Sequence, residues 1–200
     1  LSTSADKAAT GSSVTLTVQV RDQNGDALAH AGVSVTFASE LGQLSIDGGT
    51  FLDAGDPLTV TTTAAGTATA HLKSDSDGMI TAPAHLGANE AAPQVGSVSV
   101  EFGSVVLNDL TVTYDGQQHA LVAEFSNDEA AIGASYTYER AGGSPSSEAP
   151  RDAGVYTVTV TPGAGYPGSA TATLTIERLE LGFSSPVTYA DKAYDGGSAA

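Results

Sequence analysis

Apolar and polar residues alternate one by one along most of the chain, and this period of two constrains the fold more than any other feature. Between Val14 and Val20 every second residue is apolar and the intervening residues are Thr or Gln. Successive side chains of a β-strand point to opposite faces, so the pattern predicts a strand with one buried face. The same alternation recurs at 33–37, 68–72, 98–102, 110–114, 156–160 and 170–176.

Turn-forming pairs separate these runs. Asn24-Gly25 is typical of a tight turn with positive φ, and Asp115-Gly116 and Pro162-Gly163 are similar signals. Short strands at a spacing of roughly 8–12 residues favour an antiparallel sandwich or barrel. A parallel α/β fold would need long helical patterns between the strands, and the sequence shows none. We therefore predict an all-β chain.

The charge balance excludes several classes of partner. The chain has 7 Lys and Arg against 23 Asp and Glu, a formal net charge of −16. Nucleic-acid binding draws its affinity from basic residues, and anionic lipid headgroups would repel this surface. No apolar run approaches the ~18 residues that a membrane-spanning helix needs, so no membrane insertion is predicted. Cysteine is absent, which removes disulfides, thiolate metal sites and Cys nucleophiles.

The alternation breaks at two places that divide the chain. The first break is Gly103-Ser104, and the second follows Ile176. Tyr-Asp-Gly occurs at Tyr114 and again at Tyr194, 80 residues later, which is the size of one small β-module. We predict three segments: 1–103, 104–178, and 179–200 as a linker with the truncated start of a further module.

The first segment resembles the bacterial Ig-like domain of the invasin and intimin type. The resemblance covers residues 12–72. It is carried by the phrases SVTLTVQVRDQNG at 13–25, AGVSVTF at 31–37, GQLS at 42–45 and TTAAGTATA at 62–70. Residues 74–94 are longer and less regular than in that family. The resemblance implies a small antiparallel β-sandwich.

The second segment resembles the bacterial MBG module over residues 107–178. The matching phrases are LTVTYDGQQHAL at 110–121, ASYTY at 134–138, APRDAGVYTV at 149–158 and SATATLTI at 169–176. The final DKAYDG at 191–196 is similar to the start of the related YDG module. The Asp-x-Gly-x-Tyr pattern ending at Tyr156 predicts a tyrosine corner, in which the Tyr hydroxyl bonds to nearby backbone. The second module is a sandwich or a β-grasp-like arrangement.

Together the resemblances imply a large bacterial surface adhesin with modules in series, and neither implies enzymatic activity. The expected function is that of an extracellular spacer that extends and presents a distal binding region, with neighbouring modules as partners and no required cofactor. The alternative is a module that binds a glycan or a protein directly. Tyr136, Tyr138, Tyr166 and Tyr189 are candidates for stacking on sugar, whereas a spacer predicts mainly buried tyrosines and phenylalanines.

Acidic residues near turns and near the first boundary are candidate Ca²⁺ ligands, because Ca²⁺ prefers carboxylate oxygens. They are Asp75, Asp77, Glu101 and Asp109. Calcium at a module junction would stiffen an array by bridging carboxylates that otherwise repel. Asp22, Asn24 and Asp26 also have alternating oxygen ligands, but a polar hairpin turn accounts for that pattern and no Glu follows at the EF-hand distance.

Catalytic and zinc sites find no support in the motifs. The sequence contains no Gly-x-Ser-x-Gly nucleophile elbow. His30, His71, His85 and His119 do not stand at zinc-ligand spacing from one another.

Overall fold

A computed structural model describes residues 1–126, 131–163 and 165–180, and the elements it describes are all β-strands. The first nine are β1 (Ser2–Thr3), β2 (Lys7–Ala9), β3 (Ser13–Gln19), β4 (Ser34–Phe37), β5 (Gln43–Ser45), β6 (Leu58–Thr61), β7 (Thr67–Lys73), β8 (Gly78–Leu86) and β9 (Gln94–Gly103). The others are β10 (Val105–Val106), β11 (Leu110–Thr113), β12 (Glu124–Phe125), β13 (Ser135–Arg140), β14 (Gly154–Thr161) and β15 (Ala170–Glu177). The all-β prediction is confirmed.

The first nine strands form two sheets that face each other. One sheet has the order β1-β3-β7-β5, and the other has the order β2-β9-β8-β4-β6. The pairs are antiparallel except that β2 runs parallel to β9. This arrangement is an Ig-like sandwich, as the resemblance implies.

The core between the two sheets consists of the apolar residues of the alternating runs. Leu16 and Leu72 from one sheet are fully buried with Phe37 and Phe102 from the other. Burial of each such side chain contributes about 1.5–3 kcal/mol. Ala, Val and Leu fill most of the remaining space, so the sheets must approach closely to exclude water.

The second module has two layers of unequal size. Its main sheet has the order β11-β15-β14-β13, in which β11 and β15 are parallel. The short antiparallel pair β10-β12 packs Val105 and Phe125 against the core of this sheet, which includes Val158, Leu174 and Ile176. Within the residues that the structure describes, the second layer is β10-β12. The choice between a sandwich and a β-grasp-like arrangement stays a prediction.

The predicted tyrosine corner is present at the start of β14. Tyr156 is buried, and its hydroxyl donates a hydrogen bond to the backbone carbonyl of Asp152 at 2.9 Å. The bond fixes the chain as it enters the strand that pairs with both β13 and β15.

The turn at 22–26 is a polar hairpin turn. The Asp22 carboxylate accepts the backbone N–H groups of Asn24 at 2.8 Å and Asp26 at 2.9 Å. Gly25 has a φ of 87°, which glycine adopts without strain. The alternating oxygens therefore serve the backbone of this turn, as the turn interpretation predicts.

The two hydrophobic cores have no residue in common. The first lies between Ala8 and Phe102, and the second lies between Leu107 and Ile176. The predicted boundaries at 103 and 178 stay predictions. The YDG-like segment at 191–196 lies outside the described residues. No helix in the described part of the chain is long and apolar enough to cross a membrane.

Removal of the corner hydroxyl tests the second module. We expect Tyr156→Phe to lower the free energy of unfolding by about 1 kcal/mol, because one intramolecular hydrogen bond is lost while the ring stays packed. Urea denaturation measures the change. Tyr114→Phe, at an exposed ring, is the matched control and should leave stability unchanged. Equal effects of the two substitutions would contradict a structural role for the corner.

Candidate functional site

The most unusual local geometry lies where the chain passes from the first core to the second. β9 ends at Gly103 and β10 begins at Val105, so Ser104 alone separates the two strands. A connection of one residue has few conformations, because the conformational freedom of a linker falls as it becomes shorter than the usual loop. We call residues 103–105, with their contacts, the junction.

Backbone hydrogen bonds hold the junction from both sides. On the first-module side, the Thr10 N–H donates to the Gly103 carbonyl at 3.0 Å. On the second-module side, the Ser126 N–H donates to the Ser104 carbonyl at 3.0 Å, and the Ser104 N–H donates to the Ser126 hydroxyl at 2.9 Å. The junction is therefore hydrogen-bonded to elements of both modules.

Tyr166 packs at the junction. It is only 5% exposed, yet it is not a member of either core cluster. The Lys7 ammonium of the first module lies 4.4 Å from the ring centroid, a cation–π contact. A Cβ on Gly103 would lie 3.1 Å from Cε1 of the ring, so glycine allows the close approach of ring and backbone. Tyr166, from the second half of the chain, is thus in contact with Lys7 and Gly103 of the first module.

Asp77 adds a polar clamp beside the ring. Its carboxylate accepts hydrogen bonds from the hydroxyls of Thr10 and Ser104, the latter at 2.8 Å. These two hydrogen bonds connect Asp77, in the β7–β8 turn, to Thr10 after β2 and to Ser104 of the junction. Asp77 is one of the predicted calcium ligands, and in the structure its carboxylate accepts hydrogen bonds from two protein hydroxyls.

The other three predicted ligands stand at separate places. Asp75 forms an ion pair with Lys73 at 2.8 Å. Asp109 accepts the Thr173 N–H at 2.6 Å, and Glu101 lies opposite Lys7 in the β2–β9 pair. Across the described ranges, no three acidic or His side chains form a group that could hold a metal ion. Calcium binding stays a prediction.

Thermal unfolding with calcium and with a chelator tests that prediction. A site formed by Asp75 and Asp77 would raise the midpoint in calcium, since a ligand at 100-fold excess over its Kd adds about 2.7 kcal/mol. Asp77→Asn would then remove the rise, whereas Asp22→Asn, at the hairpin turn, would keep it. The same midpoint in both buffers would contradict calcium binding.

The Tyr-Asp-Gly motif of the second module forms a polar turn. The Gln117 N–H donates to the Asp115 carboxylate at 2.8 Å, and His119 Nε2 lies 2.9 Å from the same oxygen. The Gln117 bond is the main cause that holds the pKa of Asp115 below its ordinary value, and His119 contributes less. The motif therefore shapes a turn with an ionised carboxylate.

The lowered pKa of Asp115 gives a pH prediction. A carboxyl whose pKa is lower in the folded state contributes stability above its unfolded pKa, about 3.9, and loses it as pH falls through the folded pKa. NMR titration should place the Asp115 midpoint below that of the same Asp in an unfolded peptide of residues 112–120. A midpoint at or above the peptide value would contradict the turn geometry.

Aromatic side chains are mostly withdrawn from solvent. Among the described residues, the buried ones are Phe37, Phe102, Tyr138, Tyr156 and Tyr166, the half-buried ones are Phe51, Phe125 and Tyr136, and Tyr114 is exposed at 39%. Burial is the main cause that raises the pKa of Tyr138. Of the predicted sugar-stacking tyrosines, Tyr138 and Tyr166 present no free face, and Tyr189 lies outside the described residues.

Comparison with solved structures identifies the fold. A 282-residue C-terminal fragment of intimin, crystallised with the intimin-binding domain of the translocated intimin receptor, is 21% identical with a TM-score of 0.58; the match covers 88% of this chain and 62% of the fragment. Invasin, a bacterial integrin-binding protein, is 20% identical with a TM-score of 0.39 and coverages of 88% and 39%. The intimin fragment shows that the chain has the fold of bacterial Ig-like adhesin domains.

The second half has a more specific match. Residues 103–180 match the model of the MBG domain family, which confirms the resemblance drawn from the sequence. A comparison with curated proteins finds no match. The chain spans less than two thirds of the intimin fragment, and about two fifths of the invasin structure.

Proposed function

We propose that these two modules are a spacer in a bacterial surface adhesin, where they extend and present a distal binding region outside the cell. The observation that carries the proposal is the junction, in which one residue connects two cores and Tyr166, Lys7 and Asp77 bind the modules to each other. A spacer must hold its modules in a defined relative position, and a junction with few conformations does so. The role needs no cofactor and no enzymatic chemistry.

The charge of the chain supports this role. A net charge of −16 on a small protein makes like modules repel, which opposes collapse of an array on itself and keeps it soluble. The hydroxyl-rich outer faces support it also. Thr15 and Thr17 alternate with the buried residues of β3, so the face turned away from the core is polar.

The distribution of aromatic residues favours the spacer over direct glycan binding. Sugar-binding surfaces present aromatic faces to solvent. Among the Phe and Tyr side chains in the described part of this chain, only Tyr114 is exposed. A glycan array probed with the chain provides the check. Saturable binding to one glycan class, lost in Tyr114→Ala, would favour the binding function instead.

Loosening of the junction tests the spacer function directly. The chain has no cysteine, so Ala65→Cys and Ala141→Cys, each in an exposed turn of one module, accept spin labels selectively. We expect a narrow distance distribution by double electron–electron resonance. Tyr166→Ala should broaden it severalfold, because the ring that fills the junction is removed while both cores remain.

Tyr114→Ala is the matched control, since it removes an equal ring from an exposed position, and should leave the distribution narrow. Urea unfolding of each variant verifies that the cores persist. A broad distribution in the parent chain would contradict the spacer function.

A further inference from the structure

The first module contains a strand edge that its topology leaves open. β4 pairs with β8 only from Val35 to Phe37, opposite Leu86 to Ala84. After Phe37 the chain leaves this sheet and enters β5, which belongs to the opposite sheet. β8 continues to Gly78, so its first half has β9 on one side and, within the described residues, no paired strand on the other.

Two hydrogen bonds show where the backbone groups of this half-strand point. The Ala38 N–H donates to the Pro83 carbonyl at 3.0 Å, so Pro83 directs its carbonyl to the β4 side. The Glu101 N–H donates to the backbone carbonyl of Asp6 at 2.9 Å and so points away from Met79, its partner in β8. Backbone groups alternate sides along a strand. Met79 and Thr81 therefore present N–H and C=O groups to the β4 side.

Pro83 agrees with this assignment. Proline has no N–H to donate, and within sheets it occurs where the N–H side is an edge. It stands where the pairing of β4 with β8 reduces to one bond from Ala38. The residues before it, Met79 and Thr81, keep their donors.

A groove of about 460 Å³ lies along this edge. Its apolar wall includes Leu41 and Met79, which are 70% and 59% exposed. Its polar lining residues include Glu40 and Glu90, and neither Lys nor Arg lines it among the described residues. The groove therefore combines backbone donors and acceptors, an apolar surface and negative charge.

We propose that this groove binds an extended segment of a partner protein by strand addition at Met79 and Thr81, with a Lys or Arg of that segment near Glu40 and Glu90. Strand addition uses main-chain hydrogen bonds for affinity and alternate side-chain pockets for specificity. A second copy of this chain fits poorly, because two chains of −16 charge repel. The inference goes beyond the spacer function and does not depend on it.

Amide hydrogen exchange tests the open edge in the free protein. The N–H groups of Met79 and Thr81 should exchange rapidly, and those of Ile80 and Ala82, directed to β9, should be protected. Equal protection of all four amides would overturn the proposal before any ligand is used.

A synthetic peptide tests the binding. The probe is a capped, labelled peptide in which Val and Thr alternate around one central Lys. Binding should be weak and saturable by fluorescence polarisation, and amide shifts should concentrate at 79–81 in NMR spectra. The same peptide with Glu at the centre, or with N-methylated amides on the pairing edge, should bind several-fold more weakly.

Variants of the protein complete the test. Thr81→Pro removes one donor from the edge and should abolish binding, while Thr81→Val keeps the N–H and should retain it. Glu40→Gln with Glu90→Gln leaves the backbone intact and should weaken the Lys peptide only. Undiminished binding by Thr81→Pro, by the double variant or by the N-methylated peptide would overturn the proposal, as would self-association of the chain through residues 79–81 in light scattering.

Discussion

Burial of one face of each strand between two closely spaced sheets is the constraint on which the whole structure depends. The chain has no Trp and 6% aromatic residues, so Ala, Val and Leu must fill most of both cores. Small side chains fill a layer only when the sheets are near each other. A shift of one residue in strand register would expose the whole apolar face, and register is therefore strongly specified.

Because the alternation of apolar residues matches the face that each strand buries, the sequence predicts the regular strands well. Strands such as β3 and β15 follow from alternation, because their period is a local property. The hydrogen bond of Tyr156 to Asp152 and the turn at Asp22 join residues within four positions of each other, so a short motif contains all the information.

β8 was harder to predict because its inward residues include Ala82 and Ala84, which are weak markers of burial, and Pro83 interrupts the strand signal. The position of the junction follows from the break in alternation at Gly103-Ser104. Its contacts do not follow from the sequence, for a different reason. Tyr166 meets Lys7, and Asp77 meets Ser104, across long separations that no local pattern encodes. The one available signal is an aromatic residue in a Gly- and Pro-rich loop, where no alternation explains it.

The single residue between β9 and β10 also determines to which side of the chain the side chains of β10 point. Because side chains alternate sides along an extended chain, one residue added at Ser104 would turn Val105 from the core of the second module toward solvent. Evolution of such a connection would proceed more readily by substitution than by insertion or deletion. In a longer series of modules, the number of residues in each connection would then determine the twist from one module to the next.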